Sequence, residues 1–199
     1  MSRRAPAEAR QEILDQANAF LSERPFRELS VPALMARTSV GRSSFYAHFN
    51  NLTELVTELL ASIRREMRDA GTHRYLSGEG DSRTELRAAL KVAVDIWSIH
   101  GPMLRAIADA APLDPALDRQ WREFIGLATR AWARRVRADQ QADLLGPGDP
   151  DEIAHASNLL VVSYLNDRLG GPNPTDPSTA LATLTFLILS PGFSKLPKN

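Results

Sequence analysis

The sequence contains no cysteine, which excludes disulfide bonds, thiolate chemistry and cysteine-ligated zinc and suits a reducing cytoplasm. Lysine is scarce as well, since only 3 of the 24 basic residues are lysine, and 24 acidic residues bring the net charge to zero. No apolar run approaches the ~20 residues that a transmembrane helix needs, and no apolar segment typical of a signal peptide follows the basic residues 1–6. We therefore expect a cytoplasmic protein with no membrane partner.

The zero net charge conceals a small asymmetry along the 199 residues. Residues 1–74 carry 11 arginines against 9 acidic residues, whereas residues 75–199 carry 13 basic and 15 acidic residues. The N-terminal third is thus slightly basic, which permits contact with nucleic acid without requiring it.

Helical periodicity dominates the chain, and no segment alternates apolar and polar residues as a half-buried strand would. We predict an all-α fold of about nine helices, with an N-terminal domain over residues 1–50, a connecting helix over 51–70 and a C-terminal domain over 71–199. Glycines between residues 71 and 82 predict a loop at the boundary. Gly101-Pro102 predicts that a helix ends near residue 99 and that a separate one covers 103–110. Further helices are expected over about 115–144, 150–169 and 175–189.

Residues 30–51 contain two short helical segments with a break at Thr38-Ser39, which is the spacing of a helix-turn-helix. Ser30 can cap the first segment. In the second, Val40, Phe45 and Phe49 fall on one face and should pack on the first segment, so the opposite face is free for DNA. Arginine pairs bidentately with guanine, serine contacts bases or phosphates, and tyrosine and histidine reach phosphates. The predicted DNA-binding residues are Ser30, Arg42, Ser43, Ser44, Tyr46 and His48.

The run from Val40 to Phe49, VGRSSFYAHF, resembles the recognition-helix signature of TetR-type regulators. In that signature an aromatic or aliphatic residue precedes Tyr, one variable residue, His or Tyr, and Phe. The resemblance covers roughly residues 10–60. It implies a homodimer with a three-helix DNA-binding domain and a C-terminal domain for ligand binding and dimerisation.

Two positions depart from the family pattern. Ser39 stands where members usually have glycine, and a serine there would be strained if the backbone were left-handed. Leu52 stands where members usually have a lysine that contacts a phosphate, so that contact is in doubt. Arg3, Arg4 and Arg10 are candidates for an N-terminal arm that compensates.

The C-terminal part carries aromatic residues that are either plain core or the wall of a ligand pocket. Asn158 lies in an otherwise apolar helical segment, so it must bond neighbouring groups or face a cavity. Arg130, Arg134, Arg135 and Arg137 predict a solvated helix face. Residues 120–124, Asn158 and residues 165–168 resemble the EthR-like branch of the family, which binds elongated apolar ligands in a tunnel. That resemblance implies ligand-binding residues Leu90, Ala93, Val94, Trp97, Trp121, Ile125, Ala128, Trp132, Asn158, Val161 and Val162.

The last two predicted helices carry long apolar faces, which would be exposed in an isolated chain. Pairing two copies across a twofold axis would cover them and would suit a palindromic operator. The apolar residues concerned are Ile153, Leu160 and Tyr164 on one helix and Leu181, Leu184, Leu187 and Ile188 on the other.

These patterns predict a TetR-type transcriptional regulator, a repressor released from double-stranded operator DNA by a small apolar ligand. The alternatives are a helical ligand-binding protein with weak or lost DNA binding, favoured by Ser39, Leu52 and the zero net charge, and two plain core helices at residues 30–51. The sequence has no G-x-S-x-G elbow, P-loop or H-E-x-x-H motif, so we expect no enzyme and no catalytic residue. The four histidines are too scattered for a metal site, and no cofactor is predicted.

Overall fold

The computed structural model describes residues 6–72 and 81–189, and all the regular structure within these ranges is helical. The predicted all-α class is therefore confirmed. Most of the predicted boundary loop and the arm residues Arg3 and Arg4 lie outside the described residues. The eight described α-helices are α1 (Pro6–Glu23), α2 (Val31–Met35), α3 (Arg42–His48), α4 (Leu52–Met67), α5 (Ser82–Ala110), α6 (Pro115–Gln141), α7 (Pro150–Arg168) and α8 (Pro177–Leu189).

The first three helices form a small unit around one apolar face of α1. Ile13, Ala17 and Phe20 recur at helical spacing on that face and are buried. Helices α2 and α3 pack against α1 and against each other, and Phe45 and Phe49 supply their buried aromatic residues. Because local periodicity determines which residues face inward, the predicted packing of the second short helix on the first is confirmed.

Helix α5 is the central element of the molecule. It packs against α1 and α4 on one side and against α6, α7 and α8 on the others, while α6 and α7 form the most extensive helix pair. Helix α4 runs from the end of the three-helix unit to Met67, near the expected boundary at residue 70, and the division into two domains stays a prediction. Of the helices within the two described stretches, none combines the length and apolar character needed to cross a membrane.

The predicted helix end at Gly101-Pro102 is wrong, because α5 continues through both residues to Ala110. Pro102 has no N–H to donate to the carbonyl of Ser98, and a proline inside a helix costs about 3 kcal/mol. Met103, Leu104 and Ile107 lie just beyond and are fully buried. Each contributes about 1.5–3 kcal/mol by burial, which outweighs the cost of the proline. Two predicted helices are therefore one.

Gly101 has a different function from ending a helix. A Cβ at this position would lie 2.9 Å from the Leu169 carbonyl oxygen and 3.0 Å from the Gly170 nitrogen, both of which are backbone atoms. The glycine thus allows α5 to approach the end of α7 closely.

Candidate nucleic-acid interface and ligand cavity

Helix α3 separates its aromatic residues from its polar residues. It begins after Gly41, and its Phe45 side chain is buried beside that of Phe49, with ring centroids 5.6 Å apart. Tyr46 is 62% exposed although its ring touches the edge of Phe45. The α3 outer face consists of exposed Arg42, Ser43 and Tyr46 and half-buried Ser44 and His48. The structure therefore brings five of the predicted DNA-binding residues together on one short helix.

The sixth predicted residue, Ser30, lies at the start of α2. Its Oγ accepts a hydrogen bond from the backbone N–H of Ala33 at 3.2 Å, as an N-cap serine does. The serine side chain is exposed, and its hydroxyl hydrogen can still donate to an acceptor such as a phosphate oxygen.

The turn between α2 and α3 is held by α1, because both polar groups of Ser39 contact Glu12. The Ser39 N–H donates to Glu12 Oε1 at 2.6 Å, and the Ser39 hydroxyl donates to Oε2 at 2.9 Å. Asp143, with a φ of 57°, is the one non-glycine residue with a positive φ among residues 6–72 and 81–189. Ser39 is thus not left-handed, and the strain considered for it does not occur. Its hydroxyl instead adds a bond that glycine lacks.

Leu52, which departs from the family pattern, and Arg10, which was a candidate to compensate for it, both have structural functions. Leu52 is the first residue of α4 and packs, half-buried, against the core. Arg10 forms an ion pair with Glu58 at 2.8 Å and lies over the ring of Phe49, 5.4 Å from its centroid. Its guanidinium thus ties α1 to α4 and lies against Phe49 at the end of α3, and a part for Arg10 in an arm reaching DNA stays a prediction.

A cavity of about 320 Å³ lies between α4, α5, α6 and α7, within the usual range of about 300–1,000 Å³ for small-molecule sites. Six residues from the implied ligand-binding set line it, namely Leu90, Ala93, Ala128, Trp132, Asn158 and Val161. The remaining lining residues are Arg64, Met67, Arg68, Leu86, Ala89, Phe124, Leu127, Arg130 and Arg134. The resemblance to the EthR-like branch thus named part of the wall of this cavity, and ligand binding by these residues stays a prediction.

The other residues of the implied set, Val94, Trp97, Trp121, Ile125 and Val162, are not among the lining residues. The indole N–H of Trp97 donates to Asn166 Oδ1 at 2.8 Å, which ties α5 to α7. Trp121 stacks on Phe124 with centroids 5.6 Å apart. These indoles form core behind the cavity wall, with Phe124 between them and the cavity.

Asn158 both faces the cavity and bonds its neighbours. It is buried, and its Nδ2 donates to the Ile125 carbonyl oxygen at 3.1 Å and to Thr129 Oγ1 at 2.9 Å. A buried amide needs such partners, because an unpaired one costs free energy. Asn158 therefore anchors α7 to α6 at the cavity wall.

Sequence reasoning missed the charged part of this cavity. Arg64 reaches it from α4 and Arg68 from the position that follows this helix, while Arg130 and Arg134 reach it from α6. The run from Arg130 to Arg137 was expected to be a solvated face, but Arg135 is buried, paired with Asp139 at 3.2 Å and donating to Ser82 Oγ at 2.8 Å. The usable signal was the spacing of Arg130 and Arg134, which places both on one side of α6.

A larger open groove of about 1250 Å³ lies between the end of α1, the C-terminal half of α5 and the segment joining α7 to α8. Side chains of both signs line it, including Arg24, Arg105, Asp109 and Asp176, and none of the implied ligand-binding residues does. The smaller four-helix cavity is the better candidate, because its wall is mainly apolar and its charged side chains have one sign.

Helices α7 and α8 each expose one large apolar side chain. Leu159 is 55% exposed and Phe186 is 71% exposed, and α8 contains no charged residue. The apolar residues expected at the surface of these helices mostly face inward. Leu184 is fully buried, Leu187 is half-buried, and Ile153, Leu160, Tyr164, Leu181 and Ile188 are partly buried against the core.

Comparison with known proteins agrees with this geometry. Residues 13–59 match the family model of bacterial regulatory proteins, tetR family. The chain is 21% identical over 187 residues to the HTH-type transcriptional regulator EthR of Mycolicibacterium smegmatis, covering 93% of this chain and 86% of EthR.

Solved structures share the fold over nearly the whole chain. A protein of Syntrophomonas wolfei described as a TetR-family transcriptional regulator has a TM-score of 0.80 at 14% identity, covering 98% of this chain and 100% of its own. The fatty acid degradation regulator FadR of Bacillus halodurans has a TM-score of 0.78 at 11% identity, covering 95% and 97%. By sequence, residues 13–59 are therefore a DNA-binding segment of the tetR family of bacterial regulatory proteins, and the chain as a whole has the fold of TetR-family regulators.

Proposed function

We propose that the protein is a homodimeric repressor, that α3 binds a palindromic operator, and that a small apolar ligand in the four-helix cavity releases it. The observation that carries this proposal is the α3 outer face. Arg42, Ser43 and Tyr46 are exposed on a helix whose Phe45 is fully buried. A helix anchored in this way can enter the major groove without exposing its apolar side.

The chemistry of each side chain determines its proposed contact. Arg42, in the first turn of α3, would pair with guanine, and Ser43 and Ser44 would contact bases or phosphates. Tyr46 and His48 would donate to phosphates from the same helix. Ser30 would donate to a phosphate from the start of α2 while its oxygen continues to cap that helix.

The proposed dimer interface lies on α7 and α8. Exposed Leu159 and Phe186 would be buried there, and the small residues Ala156, Ser163 and Ala182, also exposed, allow helices to approach closely. A twofold axis through this surface would present two α3 helices, which matches an operator with two half-sites.

Release of DNA by the ligand would pass through α4. Its first residue, Leu52, follows the helix-turn-helix, and its last turns contribute Arg64 and Met67 to the cavity wall. Two side-chain contacts tie this helix to the C-terminal helices, the ion pair of Arg64 with Glu123 at 3.4 Å and the hydrogen bond between His100 Nε2 and Glu66 Oε2 at 3.0 Å. A ligand that binds one position of α4 more tightly than another shifts the equilibrium by that difference in affinity.

A ligand-binding protein with weak DNA affinity is the second candidate, and Leu52 is the observation that favours it. A leucine packed against the core cannot contribute the charge that a lysine would bring to a phosphate at this position. The contacts left to α3 and Ser30 then have to suffice for specific binding.

Selection from a random duplex library, followed by a salt titration, tests the proposal. We expect the full-length protein to enrich an inverted repeat. Affinity for the selected duplex should fall linearly with salt on logarithmic axes, because phosphate contacts release counterions, and a dimer with about 6–10 such contacts loses about 10³-fold or more between ~50 and ~200 mM salt. A scrambled duplex of the same length is the control. Failure to enrich any sequence, or equal affinity for both duplexes, would favour the second candidate.

A further inference from the structure

We propose that the ligand of the four-helix cavity is an amphiphile with an apolar chain and an anionic head, rather than a neutral apolar molecule. This inference rests on the proposed ligand cavity and names the class of molecule that fits it. The apolar chain corresponds to the buried part of the wall, and the anionic head corresponds to the arginines at its edge.

The cavity wall changes in character from its interior to its opening. Leu90, Trp132 and Val161 are buried and line the interior, whereas Arg68 and Arg130 are exposed and lie at the edge. Arginines approach this edge from two different helices, α4 and α6, and no acidic residue is among the described residues that line the cavity. Cations that converge beside a low-dielectric interior raise the local potential and favour an anion there.

Arg64 is the arginine best placed to bind the head group. Its side chain is only 20% exposed, so its guanidinium is largely removed from water. Its carboxylate partner, Glu123, is 60% exposed and lies 3.4 Å away, which is long for an ion pair with a hydrogen bond. A pair of this kind is weak, and Glu123 can return to water at little cost.

The head group would therefore exchange with Glu123 on the guanidinium of Arg64. Arginine presents parallel N–H donors that suit a carboxylate or a phosphate equally. The exchange has a structural consequence, because the Arg64–Glu123 pair joins α4 to α6. Occupancy by an anionic amphiphile would replace a direct tie between these helices with one made through the ligand.

Calorimetric titration of the full-length protein with ten-carbon probes tests the proposal, using decanoate, decyl phosphate, 1-decanol and decylamine below their aggregation concentrations. We expect decanoate to bind about tenfold more tightly than 1-decanol, and decylamine to bind most weakly. Decanoyl coenzyme A, compared with decanoate and decyl phosphate, distinguishes a free carboxylate from a phosphate-bearing thioester as the source of the anion.

Three variants assign the effect to Arg64. R64Q should lower decanoate affinity to that of 1-decanol, and E123Q should raise decanoate affinity without changing that of 1-decanol, because it removes the competing carboxylate. R122Q is the matched control, since Arg122 is an exposed arginine on the same helix as Glu123, is paired with Asp118 at 2.7 Å and does not line the cavity. If R64Q fails to fold, R130Q removes a second cavity charge and should weaken decanoate in the same direction.

The outcomes separate this inference from the proposed function. Equal affinities for decanoate and 1-decanol, or no response to E123Q, would overturn the anionic head and leave the apolar cavity in place. Absence of binding by every probe would overturn both the amphiphile and the ligand-binding part of the proposed function, with DNA binding unaffected.

Discussion

At the scale of single residues, Ser39 is the departure from the family pattern that the structure explains most fully. A serine in place of glycine suggested strain, yet Ser39 holds Glu12 with two hydrogen bonds. Glu12 lies 27 residues away in the sequence, so no local pattern could have indicated the contact. The departure from the family pattern strengthens the link between the turn and α1.

Replacing Ser39 with alanine should destabilise the protein by about 1 kcal/mol, because the hydroxyl loses its hydrogen bond to a carboxylate while the backbone bond remains. Urea denaturation followed by circular dichroism measures the difference. S22A is the control, since the Ser22 hydroxyl donates only to the Asn18 carbonyl within α1 and its loss should change stability little. A variant S39A as stable as the wild type would show that the contact contributes nothing.

The candidate sites differ in how far single residues could be predicted. The α3 outer face follows from local order, because Phe45 and Phe49 determine which side is buried and leave Arg42 and Tyr46 exposed. To predict that the arginines line one cavity, one would have to know that α4 lies against α6. Trp97 was assigned to the ligand by resemblance, but its indole bonds Asn166, a partner 69 residues away.

At the scale of elements, helix periodicity predicted most helices within a few residues, and failed where packing overrode a local stop signal. A Gly-Pro pair usually ends a helix, but α5 continues because the residues beyond Pro102 are buried. Only the close approach of Leu169 to Gly101 explains why glycine stands there. Such approaches depend on tertiary structure and leave no mark on local sequence.

Two glycine-to-alanine substitutions in helices should have opposite effects on stability. In G101A the new Cβ meets backbone atoms of Leu169 and Gly170 that cannot rotate away, so we expect a loss of about 1–3 kcal/mol. In G126A, on α6, the nearest atom is Arg130 Nη1 at 3.2 Å, the end of a flexible side chain. That variant should gain about 0.5–1 kcal/mol from the lower entropy of its unfolded chain.

Urea denaturation of the two variants beside the wild type measures the change in the free energy of unfolding for each of them, and so its sign. The result that contradicts the close packing of α5 on the end of α7 is a G101A protein at least as stable as the wild type. A destabilised G126A would show instead that α6 has no room beside Arg130.

At the scale of the whole molecule, α4 connects the proposed DNA interface to the proposed ligand cavity. It leaves the helix-turn-helix at Leu52 and reaches the cavity at Arg64, while α1 packs independently on α5. The three-helix unit is thus held to the C-terminal helices through α1, the short turn at Phe26–Glu28 and α4, and of these only α4 lines the cavity. The resemblance to the family could be seen in a ten-residue run, but the connection that α4 makes between the two proposed sites could be seen only in the folded structure.

The reading of DNA by α3 is tested most directly by the affinity of R42A for the selected operator, measured by fluorescence anisotropy beside the wild type. We predict a loss of about 1–3 kcal/mol with relaxed preference for one base pair, and a loss for Y46A on selected and scrambled duplexes alike. R122A, which removes an exposed arginine from α6, should bind as the wild type does, and sedimentation should show one assembly state for all four proteins. Unchanged operator affinity in both R42A and Y46A would contradict the assignment of α3.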